Sequence, residues 1–314
     1  MNEPYSTPVT SPPREKLWLH ALLFFSSILT TMLMGAQNHG IAPEQMLENP
    51  MLLLTAGWRY AFAILTILTA HEMGHYLAAR YHGLNVSLPF YIPVPIPYFF
   101  HFGTMGAFIR IRALIPDRKV LMDVAVSGPI AGFVISLGFL FYGYATLPDA
   151  NGVIAFVERI HPWDPDAAGL TLGNSALFYA FNMVLGGGLI PMSEIYHFPF
   201  IYCGWIGFFI TALNLIPIGQ LDGGHVVYSL IGSQARYVNY AAFVGILLLT
   251  GWLFYSRGLN GLIWGPWIII LLLIGLVHPP TGDNSVHLDK TRKFLGWLCI
   301  LIFILCFIPI PFMI

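Results

Sequence analysis

Charged residues are scarce in this sequence. Only 9% of the 314 residues are Asp, Glu, Lys or Arg, whereas about a quarter is usual in a soluble domain. A globule of this size would need many more charges to cover a surface in water. Lys and Arg total 14 and the formal net charge is −1, which leaves no basic surface for nucleic acid. The composition therefore excludes a soluble enzyme, a disordered chain and a nucleic-acid binder.

Cysteine is nearly absent as well. The sequence has three cysteines, Cys203, Cys299 and Cys306, which lie in apolar runs and form no C-x-x-C pair. We expect buried, inert thiols there, because free cysteine is among the most buried residue types. A disulfide framework and a cysteine-ligated metal are both disfavoured.

Long apolar runs are what the chain does contain. Hydrophobic residues make up 57% of it, and several runs exceed the roughly 20 residues that cross a bilayer as a helix. We therefore predict an α-helical polytopic membrane protein with seven transmembrane helices. The predicted spans are 17–36, 52–80, 120–146, 200–218, 238–256, 261–277 and 294–312.

The basic residues predict how these spans are oriented. With the N-terminus inside, only Arg159 and Arg257 fall in outer loops, and Arg59 lies within a span. Cytoplasmic loops carry the excess of Lys and Arg, so we predict a cytoplasmic N-terminus. No transit segment is recognisable, which favours the plasma membrane of a prokaryote. The residues on the predicted inner side are Arg14, Lys16, Arg80, Arg110, Arg112, Arg118, Lys119, Arg236, Lys290, Arg292 and Lys293.

The second predicted span contains ionisable residues in a recognisable order, H-E-x-x-H, from His71 to His75. Positions i and i+4 share one helix face, so both imidazoles can bind one zinc ion. Glu72 can then act as a general base toward the attacking water. No basic residue lies within a helical turn of Glu72, and an unpaired carboxylate in a membrane is costly. A functional zinc site is therefore favoured over a polar helix end.

A catalytic zinc needs a third protein ligand, and most acidic residues are poor candidates. Glu158 and Glu194 fall in predicted outer loops, away from the inner side that the motif approaches. Asp123 begins the third predicted span beside Arg118 and Lys119, which indicates an interfacial, ion-paired residue.

Asp222 is the favoured third ligand. It follows Pro217 and Gly219 at the inner end of an apolar span, where the helix must break and a carboxylate can turn inward. A solvated turn aspartate is the alternative. His225, three residues later, is a candidate partner for the site, although a plain turn histidine is more common. His101 also lies near the predicted site.

The combination of His71–His75 with Asn214-x-x-Pro217 and Leu221-Asp222-Gly223 resembles the site-2 protease family of intramembrane zinc peptidases. The resemblance implies one zinc ion per chain, held by His71, His75 and Asp222, with Glu72 activating water. It also implies that Asn214 contacts the substrate backbone or the developing oxyanion.

The resemblance extends to other parts of the chain. Ser127-Gly128-Pro129-Ile130-Ala131-Gly132 is similar to a small-residue span of the family, where helices pack closely. No PDZ domain fits into the chain, so it looks closest to the PDZ-less branch with cyanobacterial and plastid members. The resemblance implies that the substrates are transmembrane-helix proteins and that both partners lie in the lipid bilayer. We expect an N-terminal tail and first helix over 1–51, a catalytic membrane core over 52–237 and C-terminal helices over 238–314.

A proline-rich stretch follows the zinc motif and predicts a short re-entrant β-hairpin, with strands at 86–96 and 104–112. Pro93, Pro95 and Pro97 remove donors from one strand edge only, which blunts that edge. The second strand can then pair with an unwound substrate through its alternate amides. The residues assigned to substrate binding are Gly103, Thr104, Met105 and Gly106, and a structural plug is the alternative.

Two other classes are alternatives to an intramembrane protease. The membrane zincins that cut prenylated peptides take a downstream glutamate as third ligand, and neither Glu158 nor Glu194 has that setting. A transporter or membrane chaperone with a structural zinc would need no general base at Glu72. A transporter should also show paired repeats, and none is recognisable in the sequence.

Overall fold

The long apolar runs fold into helices. The computed structural model describes residues 15–94, 102–160 and 170–313. Its α-helices, in chain order, are α1 (Leu17–Asn38), α2 (Pro43–Glu48), α3 (Trp58–Tyr81), α4 (Arg118–Ala145), α5 (Ala150–Ile160), α6 (Ala176–Gly186), α7 (Pro199–Asn214), α8 (Asp222–Ile231), α9 (Ala235–Arg257), α10 (Gly265–Ile274) and α11 (Lys290–Cys306).

Four helical stretches of the described residues are long and apolar enough to cross a membrane. They are Leu17–Asn38, Leu53–Tyr81, Arg118–Ala145 and Asp222–Ile274. The second includes a π-helical turn, Leu53–Gly57, before α3, and the last joins α8, α9 and α10 through two short 3₁₀ segments. A mostly helical membrane protein is thus confirmed, while the predicted count of seven spans stays a prediction.

Prolines end several helices earlier than predicted. The span predicted over 200–218 stops at Asn214, because the chain turns through Pro217, whose ring cannot continue a helix. The span predicted over 294–312 stops at Cys306, before Pro309 and Pro311. The span predicted over 261–277 begins as 3₁₀ helix at Gly258–Trp264 and becomes regular only in α10.

Polar side chains set where other helices begin. The carboxylate of Asp117 accepts hydrogen bonds from the backbone amides of Lys119 and Val120, at 2.7 and 3.0 Å, at the start of α4. Asp289 accepts the Arg292 amide at 2.9 Å and starts α11 in the same way. The start of α4 lies beside the end of α8, where Arg118 donates to Ser229 O, and beside the start of α11, where Arg292 donates to Asp123.

Helices α3, α4 and α7 form the centre of the protein. The fully buried aromatic residues Tyr60, Tyr202 and Trp205 lie between them, and α8 and α11 pack against α4. At the crossing of α3 and α4, a Cβ added to Gly74 would lie 2.5 Å from the carbonyl oxygen of Ser127. The small residues predicted to allow close helix packing do lie at this crossing.

The described residues also form four short strands: β1 (Phe90–Pro93), β2 (Thr104–Phe108), β3 (Thr171–Leu172) and β4 (Phe312–Met313). β1 and β2 pair antiparallel, with Phe90 opposite Phe108, Tyr91 opposite Ala107 and Pro93 opposite Thr104. The register shifts between the last two pairs, where Gly106 adopts a positive φ of 99° that favours glycine. The two predicted strands therefore pair, over shorter ranges than predicted, while the re-entrant position of the hairpin stays a prediction. β3 pairs antiparallel with β4 elsewhere.

Candidate metal centre

Helix α3 brings the histidines of the H-E-x-x-H motif together as its periodicity predicts. The Nε2 atoms of His71 and His75 lie 3.1 Å apart. The exposed fractions of His71, Glu72 and His75 are 4%, 7% and 6%, so all three are buried. Three ionisable side chains held out of water within one turn indicate a functional site.

The carboxylate of Asp222 completes the cluster from the first turn of α8. Its Oδ2 lies 3.3 Å from His71 Nε2 and 3.2 Å from His75 Nε2. Three ligating atoms therefore form a nearly equilateral triangle. Ligand atoms about 2.0 Å from a tetrahedral ion lie about 3.3 Å from one another, which is the separation seen here. Two imidazole nitrogens and one carboxylate oxygen are also donors that zinc prefers, so the residues fit a zinc ion.

Helix α4 fixes the orientation of His75 from behind. The Nδ1 of His75 lies 2.7 Å from the carbonyl oxygen of Val124, which can only accept, so Nδ1 carries the proton and Nε2 is free to ligate. A Cβ added to Gly128 would overlap the His75 ring, and one added to Gly132 would lie 3.3 Å from His71 Nδ1. The glycines of α4 therefore make the room that the two imidazoles occupy.

Residues 275–279, directly after α10, contact the turn that precedes Asp222 and hold it in place. The Gly219 amide donates to Leu276 O at 3.2 Å, where φ of Gly219 is +56° and an added Cβ would overlap Gly275 O. His225 Nδ1 lies 2.6 Å from His278 Nε2, and His278 Nδ1 donates to Pro279 O. His225 thus has a buried histidine partner, whereas a role for His225 at the metal site stays a prediction. The sequence offered no signal for His278, because its partner lies in another element.

A cavity of about 780 Å³ lies beside the cluster, and both His71 and Glu72 line it. Asn214, at the end of α7, also lines it, with its Nδ2 3.1 Å from His71 Nε2. The predicted general base and the predicted oxyanion contact therefore face one space. That space extends from the buried cluster to the hairpin and to α10.

Residues of the hairpin lie at different depths along this cavity. Thr104, Met105 and Gly106 line it, with Met105 70% exposed. The buried Thr104 hydroxyl donates to Ile92 O at 2.9 Å, so it joins the two strands. Gly103 packs against α1 instead, since an added Cβ would lie 2.7 Å from Thr30 O. Close packing against α1 accounts for Gly103, whereas substrate contact at Thr104, Met105 and Gly106 stays a prediction.

One edge of β2 faces the cluster. Arg112 donates its amide to Asn85 O at 2.8 Å and Arg110 to Ser87 Oγ at 2.9 Å, so these amides point to the first strand. Alternate amides point to the opposite edge, where the Ile109 amide meets the Glu72 carboxylate. The Ala107 amide points the same way by alternation. Among the described residues, β2 has a strand partner on the β1 side only.

The other sequence predictions have mixed outcomes. Asp123 is ion-paired as expected, but with residues other than its neighbours in the sequence. It accepts hydrogen bonds from Arg292 Nη2 at 2.6 Å and from His82 Nε2 at 2.9 Å, whereas Arg118 donates to Ser229 O. His101, Pro95 and Pro97 lie outside the described residues. The three cysteines are buried and free, as predicted.

Comparison with known proteins adds the family. The model of peptidase family M50 matches residues 59–255, which is more than half of the chain and includes every residue of the cluster. The Arabidopsis thaliana protein named "Probable zinc metalloprotease EGY1, chloroplastic" is 26% identical over 96% of this chain and 55% of its own length.

Two further relatives agree with this match. The protein of the same name from Oryza sativa subsp. japonica is 29% identical over 71% of this chain and 37% of its own length. "Probable zinc metalloprotease EGY2, chloroplastic" of Arabidopsis thaliana is 28% identical over 83% of this chain and 43% of its own length. The chain spans about half, or less, of the length of these curated relatives. The family match over the metal cluster and its helices establishes that the chain belongs to peptidase family M50, the site-2 protease family.

Proposed function

We propose that the chain is an intramembrane zinc metalloendopeptidase, which hydrolyses peptide bonds within the transmembrane segments of membrane proteins near the cytoplasmic side. One observation carries the proposal. A buried cluster of two imidazoles and a carboxylate, a neighbouring glutamate and an open strand edge all meet one cavity among apolar helices. A structural zinc site would be closed and would need neither a cavity nor a base.

His71, His75 and Asp222 would hold the zinc ion. When bound there, zinc supplies a Lewis acid that polarises a carbonyl and lowers the pKa of water. Glu72 is placed to accept the proton of the attacking water, because its carboxylate is next in sequence to a ligand and lines the cavity. The same carboxyl group can then pass that proton to the amine nitrogen as the peptide bond breaks.

Asn214 is proposed to donate a hydrogen bond to the substrate. Its side-chain amide faces the cavity beside His71, where a scissile carbonyl would lie. As water adds to the carbonyl carbon, charge builds up on the oxygen, and a fixed N–H donor stabilises that charge.

The open edge of β2 is proposed to hold the substrate in extended form. A helix in lipid satisfies its own backbone hydrogen bonds, so unwinding it for cleavage requires replacement partners. The N–H and C=O groups of Ala107 point to this edge, next to the Ile109 amide that meets Glu72, and can pair with a substrate strand. Met105 and Gly106 line the same space, so they are the hairpin residues that we assign to substrate contact.

The same proposal extends to membrane topology. The long stretch Asp222–Ile274 contains two of the predicted spans, around α9 and α10, so the four long stretches supply five spans. Helices α7 and α11 contain 16 and 17 residues, just under a standard span, and bring the arrangement to seven. The hairpin would then be re-entrant from the cytoplasmic side, with the N-terminus inside. The division into 1–51, 52–237 and 238–314 follows this arrangement. The relatives' names give chloroplasts, so the prediction of a prokaryotic plasma membrane has no support from them, and we assign only an integral membrane protein.

A cleavage assay with a Glu72→Gln variant tests the proposal. The purified protein is reconstituted with zinc and given reporters that contain single transmembrane segments. Wild type should release fragments, and Glu72→Gln should retain zinc but lose turnover by about a thousandfold or more, because an amide cannot accept a proton. Cys203→Ser is the matched control with full activity. Wild-type cleavage rates in Glu72→Gln would instead favour the transporter or chaperone class.

A further inference from the structure

Three phenylalanine rings meet on one wall of the catalytic cavity. The ring centroids of Phe102 and Phe209 lie 6.4 Å apart, those of Phe102 and Phe312 6.3 Å, and those of Phe209 and Phe312 5.7 Å. Phe102 lies two residues before the hairpin's second strand, Phe209 lies in α7 and Phe312 in β4, so the three rings come from parts of the chain that are distant in sequence. We call these three residues the phenylalanine wall.

The phenylalanine wall faces a second apolar surface across open space. Trp264 belongs to the 3₁₀ segment before α10, and Trp267 lies at the start of α10. Both line the same cavity, together with Ile263 and Ile270. Phe102, Phe312 and Trp267 are only partly buried, because the space between the two surfaces is not filled by the chain's own side chains. The described part of the cavity thus has polar residues such as Glu72 in one part of its lining and an unfilled apolar part between the phenylalanine wall and Trp267.

Hydrogen bonds hold the wall in position. Trp205 stacks on Phe209 with ring centroids 5.6 Å apart, and its Nε1 donates to Gly173 O at 2.7 Å. The Gly173 amide in turn donates to Pro311 O at 2.9 Å, directly before Phe312. Trp264 Nε1 donates to Pro309 O at 2.8 Å and fixes the facing surface to the same segment. An apolar pocket with such fixed walls loses little entropy when it is filled.

Strand geometry indicates what fills this pocket. A substrate strand paired with the edge of β2 directs its side chains alternately to the two faces of the sheet, so the two residues beside the cut bond point to opposite faces and one of them can enter the apolar part of the cavity. We propose that the phenylalanine wall, with Trp267 opposite, forms a substrate pocket that takes one large apolar side chain beside the cut bond. The enzyme therefore selects Phe, Leu or Met over Ala or Gly at that position. This inference rests on the proposed proteolytic function.

A structural role for the same rings makes a different prediction. Phe209 is buried and stacks on Trp205, so its loss would weaken packing whether or not substrate enters. Phe312 is the better probe, because it borders the open space. Truncating a residue that only packs would lower stability and leave the ratio of rates between two substrates unchanged. Truncating a residue of a substrate pocket changes that ratio.

The test measures selectivity with paired reporters. The cut bond of a cleaved reporter is mapped by mass spectrometry, and each residue on either side is changed in turn to Phe, Leu, Ala and Gly. In wild type, kcat/KM at one position should favour Phe over Ala by about tenfold or more, as expected for an apolar pocket. Phe312→Ala should reduce this ratio to below about threefold. Phe303→Ala, from α11 and outside the cavity lining, should keep both the rate and the ratio.

Two outcomes overturn the pocket: a wild type that shows no preference at any position, or a Phe312→Ala protein that keeps the full ratio. If Phe312→Ala does not fold, Phe312→Leu gives the same comparison with a smaller change in packing. A second arm does not require cleavage. Reporters that carry a photoreactive phenylalanine analogue are crosslinked to the zinc-loaded Glu72→Gln protein, and the contact sites are mapped.

Crosslinks should fall on the phenylalanine wall or Trp267, and a Phe-containing segment should compete better than its Ala counterpart. If wild type cleaves nothing but these crosslinks form, the proteolytic function fails and the pocket stands. If reporters are cleaved but crosslinks fall elsewhere, the function stands and the pocket is overturned.

Discussion

Glycines in two helical regions of the protein have very different surroundings. At the crossing of α3 and α4, a Cβ added to Gly74 would lie 2.5 Å from Ser127 O, and one added to Gly128 would overlap the His75 ring. In α9, a Cβ added to Gly245 or Gly251 meets no atom within 4 Å among the described residues. Both regions are apolar helices, but only the first brings backbones into contact around ionisable groups.

The difference shows where the structure needs precision. Ligands must keep their separations to within a few tenths of an ångström, so α4 supports the imidazoles with backbone and with the Val124 carbonyl rather than with flexible side chains. In contrast, α9 exposes large apolar residues such as Leu248, at 69%, and Trp252, at 59%. Those surfaces face lipid in our topology and tolerate added methyl groups.

Among the substitutions that test this comparison, Gly128→Ala has the largest expected effect. The new methyl group occupies the space of the His75 ring, so the ligand must move and zinc affinity should fall by about a hundredfold. Zinc content after dialysis, measured by atomic emission, checks this directly. Cleavage activity should fall in parallel.

Gly251→Ala is the matched control for that substitution. It should keep zinc and activity, with the midpoint of thermal unfolding unchanged or raised, because alanine favours a helix by about 1 kcal/mol over glycine. Equal zinc retention in both variants would show that the close contact at α4 is not needed.

A smaller effect is expected at the hairpin, where two neighbouring amides face opposite edges. Ala107→Pro removes an amide from the edge beside Glu72, so cleavage should fall by about tenfold while zinc stays bound. Phe108→Pro removes an amide that faces β1 and should instead lower the unfolding midpoint. Ala107→Val keeps the N–H group and controls for side-chain size. Unaltered cleavage in Ala107→Pro would leave the hairpin as a structural plug.

The metal cluster could be predicted from the sequence because short-range geometry determines most of it. The spacing of His71 and His75 places both on one face of any helix. Pro217 and Gly219 predict the turn before Asp222. The composition predicts apolar spans by the same local logic. The predicted helix ends are less accurate where a proline stops the helix before the apolar run itself ends, as at Asn214 and Cys306.

Contacts between distant elements could not be predicted in this way. Arg292 reaches Asp123 only because α11 packs on α4, and the sequence places Arg118 and Lys119 much nearer. His225 and His278 are single histidines without a pattern, and their pairing depends on the segment after α10. Phe312 likewise enters the cavity wall only through the pairing of β3 and β4.

The smallest expected effect concerns pH and the segment that holds the turn before Asp222. Burial lowers the pKa of His278 below its ordinary value, so the unfolded chain takes up a proton first as the pH falls. The free energy of unfolding should therefore decrease below about pH 6.5, by at most about 1.4 kcal/mol per pH unit. Thermal unfolding from pH 7.5 to 5.5 checks this, and His278→Asn should flatten the dependence. If the unfolding of His278→Asn depends on pH as strongly as that of wild type, other histidines cause the effect.

Zinc K-edge X-ray absorption of the purified protein tests the central claim most directly. The account predicts one zinc ion per chain with two imidazole nitrogens and a carboxylate oxygen about 2.0–2.2 Å away, and no sulfur. Asp222→Ala should remove the carboxylate contribution, and His71→Ala should remove one imidazole and most of the metal. A sulfur ligand, or a coordination shell unchanged by both substitutions, would contradict the account.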